Sequence, residues 1–545
     1  MKKTLCTLAF VSAILNFSSQ AQSLDQSLSG SVSASQDEGE AHIAMDPNDS
    51  THLAVGYMEL GTGVSFRIYH SEDQGNTWRL SQFDPSSEIA NDFPGYIAAG
   101  GGDILFAYDN NHNLYCSWIY LLLNPTAPNP TDTLVFVGYW GKSADNGASF
   151  SLEAGEDHFF GIGKLNASQT IYNYKDGICD RQWMAVDLSN GPGQNDLYIG
   201  YINFPSDINQ TGLKVKVKKA NQSSFSAATT AYAGNGQFTN LAMDSNGKLH
   251  YSFADFMSNE ILYTSSIDGA QTFATPVTIQ QATTVFPSGT GVINERENAA
   301  PSLAVDGQNN LHLVWADFIS NQRFESYYSR STDNGATWSA PIDLTTIFGS
   351  KVFMPVVSAH GDKVSIGGNV LDSTNKSNYH ISNSQDNGAN FGPIKKVSSA
   401  TTNFAQVSKS RFVGDYSSSV RTHCTIYSLW TDCRANGCKQ YIAKYDECAS
   451  LGIEYTPIEA SFSLSTLYPN PVSTVLNLDL KSDEAMSLKL EIFDLQGRVV
   501  YSSDQNLLEG ENQLELDLSS LKAGQYLLSI SDANGTFISR NILKN

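Results

Sequence analysis

The chain has 545 residues, enough for more than one domain and an ample core. Its 33 Lys and Arg face 55 Asp and Glu, a formal charge of −22. A field of that sign repels phosphate backbones and anionic lipid, so nucleic acid and membrane surfaces are disfavoured as partners and an extracellular setting fits.

At the N-terminus Lys2 and Lys3 precede an apolar run from Leu5 to Leu15, and Ser19-Gln20-Ala21 sets small residues where a signal peptidase reads. Residues 1–21 are expected to be a signal peptide, because the run is too short to persist as an anchor and no later stretch is apolar enough for a membrane span. Cys6 sits before the apolar run has developed, not at its end where a lipidated cysteine would lie, so no lipidated cysteine is expected. Without Cys6 the chain keeps Cys116, Cys179, Cys424, Cys433, Cys438 and Cys448, an even set that reads as disulfides in an exported protein. Cys433 to Cys438 is the shortest loop to close; zinc is the rival for the last four, whose spacings lack paired Cys-x-x-Cys.

Two phrases then alternate along the chain. One is an apolar strand ending in a turn and followed by a second strand, as in His42-Ile43-Ala44-Met45-Asp46 before His52 to Tyr57, and Ser302-Leu303-Ala304-Val305-Asp306 before Leu311 to Asp317. Similar pairs start at Tyr96, Trp183, Leu241, Val356 and Phe412, about seven starts in all. The other phrase is a box of Ser, Asp, Gly and an aromatic residue. Ser71 to Trp78 carries Asp73, Gly75 and Trp78, and Ser331 to Trp338 carries Asp333, Gly335 and Trp338. Ser143 to Phe150 (Asp145, Gly147) and Ser384 to Phe391 (Asp386, Gly388) put Phe where Trp stood, and Ser266 to Phe273 keeps Asp268 and shifts its glycine by one place. Such a box suits a hairpin turn: Asp bonds nearby N–H groups, Gly takes positive φ, and the ring restarts a strand. Short strands with polar turns, repeated every 50 to 70 residues or so, indicate radial sheets. The polar segment Leu24 to Ser35 is positioned to add an outer strand to the last, boxless unit and close the ring.

The box resembles the Asp-box of sialidase-like (BNR-repeat) β-propellers, where it joins the third and fourth strands of a blade, away from the active-site face. The resemblance implies an all-β fold: a propeller of about seven blades, with six or eight as alternatives, over residues 22–450.

In a propeller, side chains just before each inner strand gather around the channel. Glu38 and Glu40, Asp92, Asp180 and Arg181, Glu295, Arg296 and Glu297, and Arg411 hold such positions. Sialidases of this family clamp a carboxylate with three arginines and use a Tyr assisted by Glu as nucleophile and an Asp as acid/base. The resemblance maps the clamp onto Arg181, Arg296 and Arg411, the nucleophile onto Tyr416 in Asp415-Tyr416-Ser417, and its assistant onto Glu295 or Glu297. Against that stand the missing Phe/Tyr-Arg-Ile-Pro phrase and the lack of an identifiable acid/base Asp; the arginines can equally pair with carboxylates of the next blade. Two functions follow: a recognition propeller binding a glycan or glycoprotein without hydrolysis, or an exo-α-sialidase acting on terminal acidic sugars. No cofactor is implied, and Asp46 to Asp49 and Asp109 to Asn111 read either as structural calcium sites or as plain turns. His42, His52, His250, His312 and His423 lie on or beside strands and read as packed or surface residues.

Beyond a linker at 451–466, residues 467–545 alternate strictly in Val475 to Leu480 and carry turn signals at Gln496-Gly497, Ala523-Gly524 and Asn534-Gly535, which predicts a small antiparallel sandwich. Tyr468-Pro469-Asn470-Pro471, the phrase Ile492 to Arg498, the phrase Leu521 to Tyr526 and the closing strand with Lys544 resemble the C-terminal sorting domain of cargo of the type IX secretion system of Bacteroidetes. That implies the secretion machinery as partner and a secreted or outer-surface location.

Overall fold

The computed structural model describes residues 24–28, 37–60, 64–128, 133–152, 159–165, 171–175, 178–204, 211–286, 298, 300–320, 323–404, 412–435, 437–448, 462–494, 498–532 and 537–545. Two compact units divide the chain, Met1–Leu451 and Gly452–Asn545. The expected signal peptide at residues 1–21 lies outside the described residues.

The first unit is a seven-bladed propeller. Its innermost strands are Asp37–Met45, Ile97–Tyr108, Ile178–Val186, Gly236–Met243, Ser302–Val305, Val352–His360 and Ser418–Arg421, in blades 1 to 7, and each packs on the next until the seventh meets the first. Further strands pair outward from each, antiparallel and in chain order, as in blade 4, where Gly236–Met243, Leu249–Asp255, Glu260–Ser266 and Val277–Gln281 follow one another. Blade 7 breaks this order: its outermost strand is Leu24–Ser27, which pairs with Gly437–Asp446 from Leu24↔Lys444 to Ser27↔Tyr441 and so closes the ring with the start of the chain. The inner strands are largely buried although several carry polar residues, and Trp118, Trp315, Trp430 and Tyr57 are fully buried between sheets.

Local turn chemistry explains why the blades repeat. The carboxylates of Asp46, Asp109, Asp187, Asp244 and Asp306 end the first strands and accept N–H bonds from the turns that follow, at 2.8 Å from Asn48, 2.8 Å from Asn111, 2.9 Å from Ser189, 2.9 Å from Asn246 and 2.9 Å from Gln308. Asp46 and Asp109, weighed above as calcium sites or plain turns, are engaged in this way, and among the described residues no three His, Cys, Asp or Glu side chains gather to hold a metal ion.

The boxes close the turns after the third strands. In blade 5, Ser331 Oγ accepts the Gly335 N–H at 2.8 Å and donates to Asp333 at 2.7 Å, while Asp333 accepts the Thr337 N–H at 2.8 Å. Asp73, Asp145, Asp268 and Asp386 repeat this pattern. In the worn copy Ala270 takes φ 61° in the glycine's place, and its N–H still reaches Ser266 Oγ at 3.0 Å.

Two bridges form, Cys424–Cys448 and the expected Cys433–Cys438. The even count does not extend to Cys116 and Cys179, which are free and buried. Each fills a hydrophobic cluster as a small apolar side chain, and burial pushes both thiols up, Cys179 to about 12.

The second unit is a sandwich of two sheets. Phe462–Tyr468, Val475–Ser482 and Gly510–Asp517 form one; Val499–Leu507, Met486–Phe493, Gly524–Asp532 and Phe537–Lys544 form the other. Its first strand starts five residues upstream of the Leu467 boundary read from sequence. Alternate residues Leu476, Leu478 and Leu480 face Leu490, Ile492, Leu528 and Ile530 in a closed core.

Candidate functional site

A β-bulge recurs near the entry of five inner strands, where two residues oppose one on the partner strand. The register shifts between Gly39 and His42, Gly102 and Leu105, Asp180 and Trp183, Gln237 and Asn240, and Phe353 and Val356. The first bulged residue is in every case a non-glycine with positive φ: Glu40 (52°), Asp103 (54°), Arg181 (49°), Phe238 (54°) and Met354 (51°). A left-handed L-residue costs roughly 1–2 kcal/mol, and bulges of this kind re-aim side chains. Each stands six residues ahead of the residue that ends its strand or begins its turn, namely Asp46, Asp109, Asp187, Asp244 and His360. In blade 7 the turn begins at Thr422, whose hydroxyl accepts the Cys424 and Thr425 N–H groups as the Asp residues do elsewhere, and six residues ahead of it is Tyr416. Successive blades thus present one residue each at a shared level.

Three of these residues, Arg181, Phe238 and Tyr416, pack together. The Arg181 guanidinium lies 4.7 Å over the Tyr416 ring and 5.4 Å from the Phe238 ring, and its Nε is 3.9 Å from Asp415 Oδ2. Asp415 also accepts a 2.7 Å bond from Asn298 Nδ2. Trp183 packs edge-on against Tyr416 at 5.6 Å, and His42 against Trp183 at 5.3 Å. Arg181 is 4% exposed, Tyr416 7% and Glu40 2%.

Electrostatics follow from that crowding. Burial, reinforced by the charges of Asp103 and Asp415, holds the Glu40 carboxyl well above the usual range. Burial and the Glu40 and Asp103 carboxylates push the Tyr416 phenol up as well. Burial pulls Arg181 down, but Asp415, Glu40 and Asp103 outweigh it and the guanidinium stays charged. Burial also drops His42 to about 3, so it is a neutral wall residue whose Nδ1 accepts the Phe106 N–H at 3.3 Å.

Of the residues singled out from sequence, Arg181 and Tyr416 are brought together; Glu295, Arg296, Glu297 and Arg411 lie outside the described residues. Arg67 pairs with Glu59 at 2.5 Å in blade 1. Glu38 accepts Gln440 N–H at 2.8 Å and Lys439 Nζ at 3.1 Å, tying blade 1 to blade 7. Asp103 was missed because it sits inside an apolar strand; counting six places back from each turn Asp finds it.

Known proteins resemble the two units to different degrees. No curated protein matches the chain. Among solved structures, a protein of unknown function from Dyadobacter fermentans shares 11% identity at TM-score 0.44, covering 77% of this chain and 97% of that one. The intramolecular trans-sialidase of Ruminococcus gnavus shares 13% at 0.39, covering 76% and 95%, and the Trypanosoma rangeli sialidase shares 10% at 0.38, covering 93% and 85%. These likenesses carry no chemistry to the site. No helix among the described residues is long and apolar enough to cross a membrane. Residues 466–544 match the family described as the secretion system C-terminal sorting domain, so the chain is an all-β protein whose propeller precedes a sorting domain of that family.

Proposed function

We propose that this chain is an exported recognition protein, a sialidase-like Asp-box propeller that binds a glycan or glycoprotein at its channel without hydrolysing it. A signal peptide at residues 1–21 and the type IX secretion machinery, engaged through the tail, carry it to the medium or the outer cell surface. The observation behind the binding reading is the state of the ring residues. A tyrosine nucleophile needs a base to take its proton, whereas Tyr416 and its carboxylic neighbour Glu40 both hold theirs. Arg181 is likewise not a vacant clamp for a carboxylate, since Asp415, Glu40 and Asp103 already surround it.

The second reading, an exo-α-sialidase or related glycoside hydrolase, draws on the packing of Arg181 over Tyr416 beside three acids. The full-length protein, incubated with a fluorogenic sialoside and passed in parallel over a glycan array, separates the two. No turnover with saturable retention on at least one glycan is expected. Turnover that Tyr416→Phe abolishes would establish the hydrolase and end the binding-only reading.

A further inference from the structure

The channel wall below the ring encloses a cavity of about 140 Å³, bordered among others by His42, Arg181, Trp183, Thr239, Tyr416 and Ser417. A water needs roughly 10–15 Å³ of such space, so this one holds on the order of ten, the bulk of one sugar ring and not of a chain. Three of the bordering groups are buried polar atoms with no hydrogen-bond partner: Arg181 Nε, Tyr416 OH and Ser417 Oγ. Outside its border Glu40 Oε2 and Gln182 Oε1 are also unpartnered, while Gln182 Nε2 donates to the Asp103 carbonyl. An unmet buried polar group costs about 1–3 kcal/mol, and three on one cavity are a demand for a ligand or water that both donates and accepts.

The demand has a chemical character. On the cavity these are one unpartnered donor, Arg181 Nε, and two hydroxyls that either donate or accept. Hydroxyl groups satisfy every one of these, and the rings of Trp183 and Tyr416 offer apolar faces beside them. Charge points the same way: among the described residues, the carboxyl groups of Asp103 and Asp415 stand around the Arg181 guanidinium while Glu40 holds its proton, so an incoming carboxylate meets more like charge than opposite charge.

Building on the reading that the channel binds glycan, we propose that its ligand is an uncharged, hydroxyl-rich sugar ring, and that Asp103 and Asp415 select against acidic sugars. The test is isothermal titration of the full-length protein with matched pairs, galactose against galacturonic acid, glucose against glucuronic acid, and N-acetylglucosamine against N-acetylneuraminic acid. The neutral member of at least one pair should bind at least about tenfold more tightly than its acidic partner, about 1.4 kcal/mol. Asp103→Asn removes one like charge and should narrow that gap by about threefold or more; Asp103 is only half-buried, so this variant serves even where Asp415→Asn fails to fold. Equal or tighter binding of the acidic sugars, no binding by any pair, or an unchanged gap in Asp103→Asn overturns the proposal. Failure of the underlying binding reading looks different: turnover of a fluorogenic glycoside, or retention on protein ligands with none on glycans.

Discussion

Glu40 combines a left-handed backbone, near-complete burial and two acidic neighbours, and each alone is unfavourable for an ionised side chain. Its pKa is raised in the folded state, so folding takes up a proton wherever the unfolded chain would have lost it. The sign follows from linkage: the stabilising contribution is fully present below the unfolded value near 4.5 and is lost as pH rises toward the folded value. Gln has the same shape, no charge and no such dependence. Thermal melting of Glu40→Gln against the parent should therefore show little difference at pH 4 and a growing advantage for the variant toward pH 8. A constant difference across that range would mean that Glu40 is ionised throughout and that its neighbours are arranged otherwise.

Between elements, the boxes act as staples from one blade to the one before. The Tyr427 hydroxyl of blade 7 donates to the Gln74 carbonyl in the box of blade 1, and Tyr328 of blade 5 donates to the Gly388 carbonyl in the box of blade 6. The box rings follow suit: Trp338 packs on Tyr263 at 5.3 Å and Phe391 on Tyr328 at 5.1 Å. Glycine is required here for space as well as for φ, since a Cβ on Gly335 would meet the Tyr263 hydroxyl at 2.2 Å, whereas Gly349, also at positive φ, has nothing within 4 Å. Gly349→Ala should cost about 1 kcal/mol through its backbone alone. Gly335→Ala adds overpacking and should cost about 2–4 kcal/mol in chemical denaturation; equal costs would refute the staple. Boxes and turn Asp residues were legible in the sequence because turn chemistry is local, and between them they mark blades 1 to 6. Arg181 and Tyr416 were legible because they precede inner strands. Asp103 was not, since a bulge leaves no trace in an apolar pattern such as Tyr96 to Tyr108. Nor were the free Cys116 and Cys179, because parity counts cysteines and burial decides their use.

At the scale of the whole molecule, each unit closes on itself. The propeller joins its two ends when Leu24–Ser27 pairs in blade 7, where Asp25 reaches Arg434 NH2 at 2.6 Å and Arg434 holds Asp432 at 2.6 Å. The sandwich in turn ties its opening to its end: Asn470 Oδ1 accepts the Leu543 N–H at 2.8 Å, and Asn545 N–H donates to the Val472 carbonyl at 2.9 Å. Units with separate cores and separate closures unfold separately. Deleting Phe462–Asn545 should thus leave the propeller with its melting transition unchanged while the truncated chain stays within the producing cell, because the sorting domain is gone and the fold is not. Fractionation of cells and medium, with calorimetry of the truncated protein, reads both halves of this expectation. Normal export of the truncated chain would detach secretion from the sandwich, and a lowered propeller transition would show that the sandwich supports the fold as well.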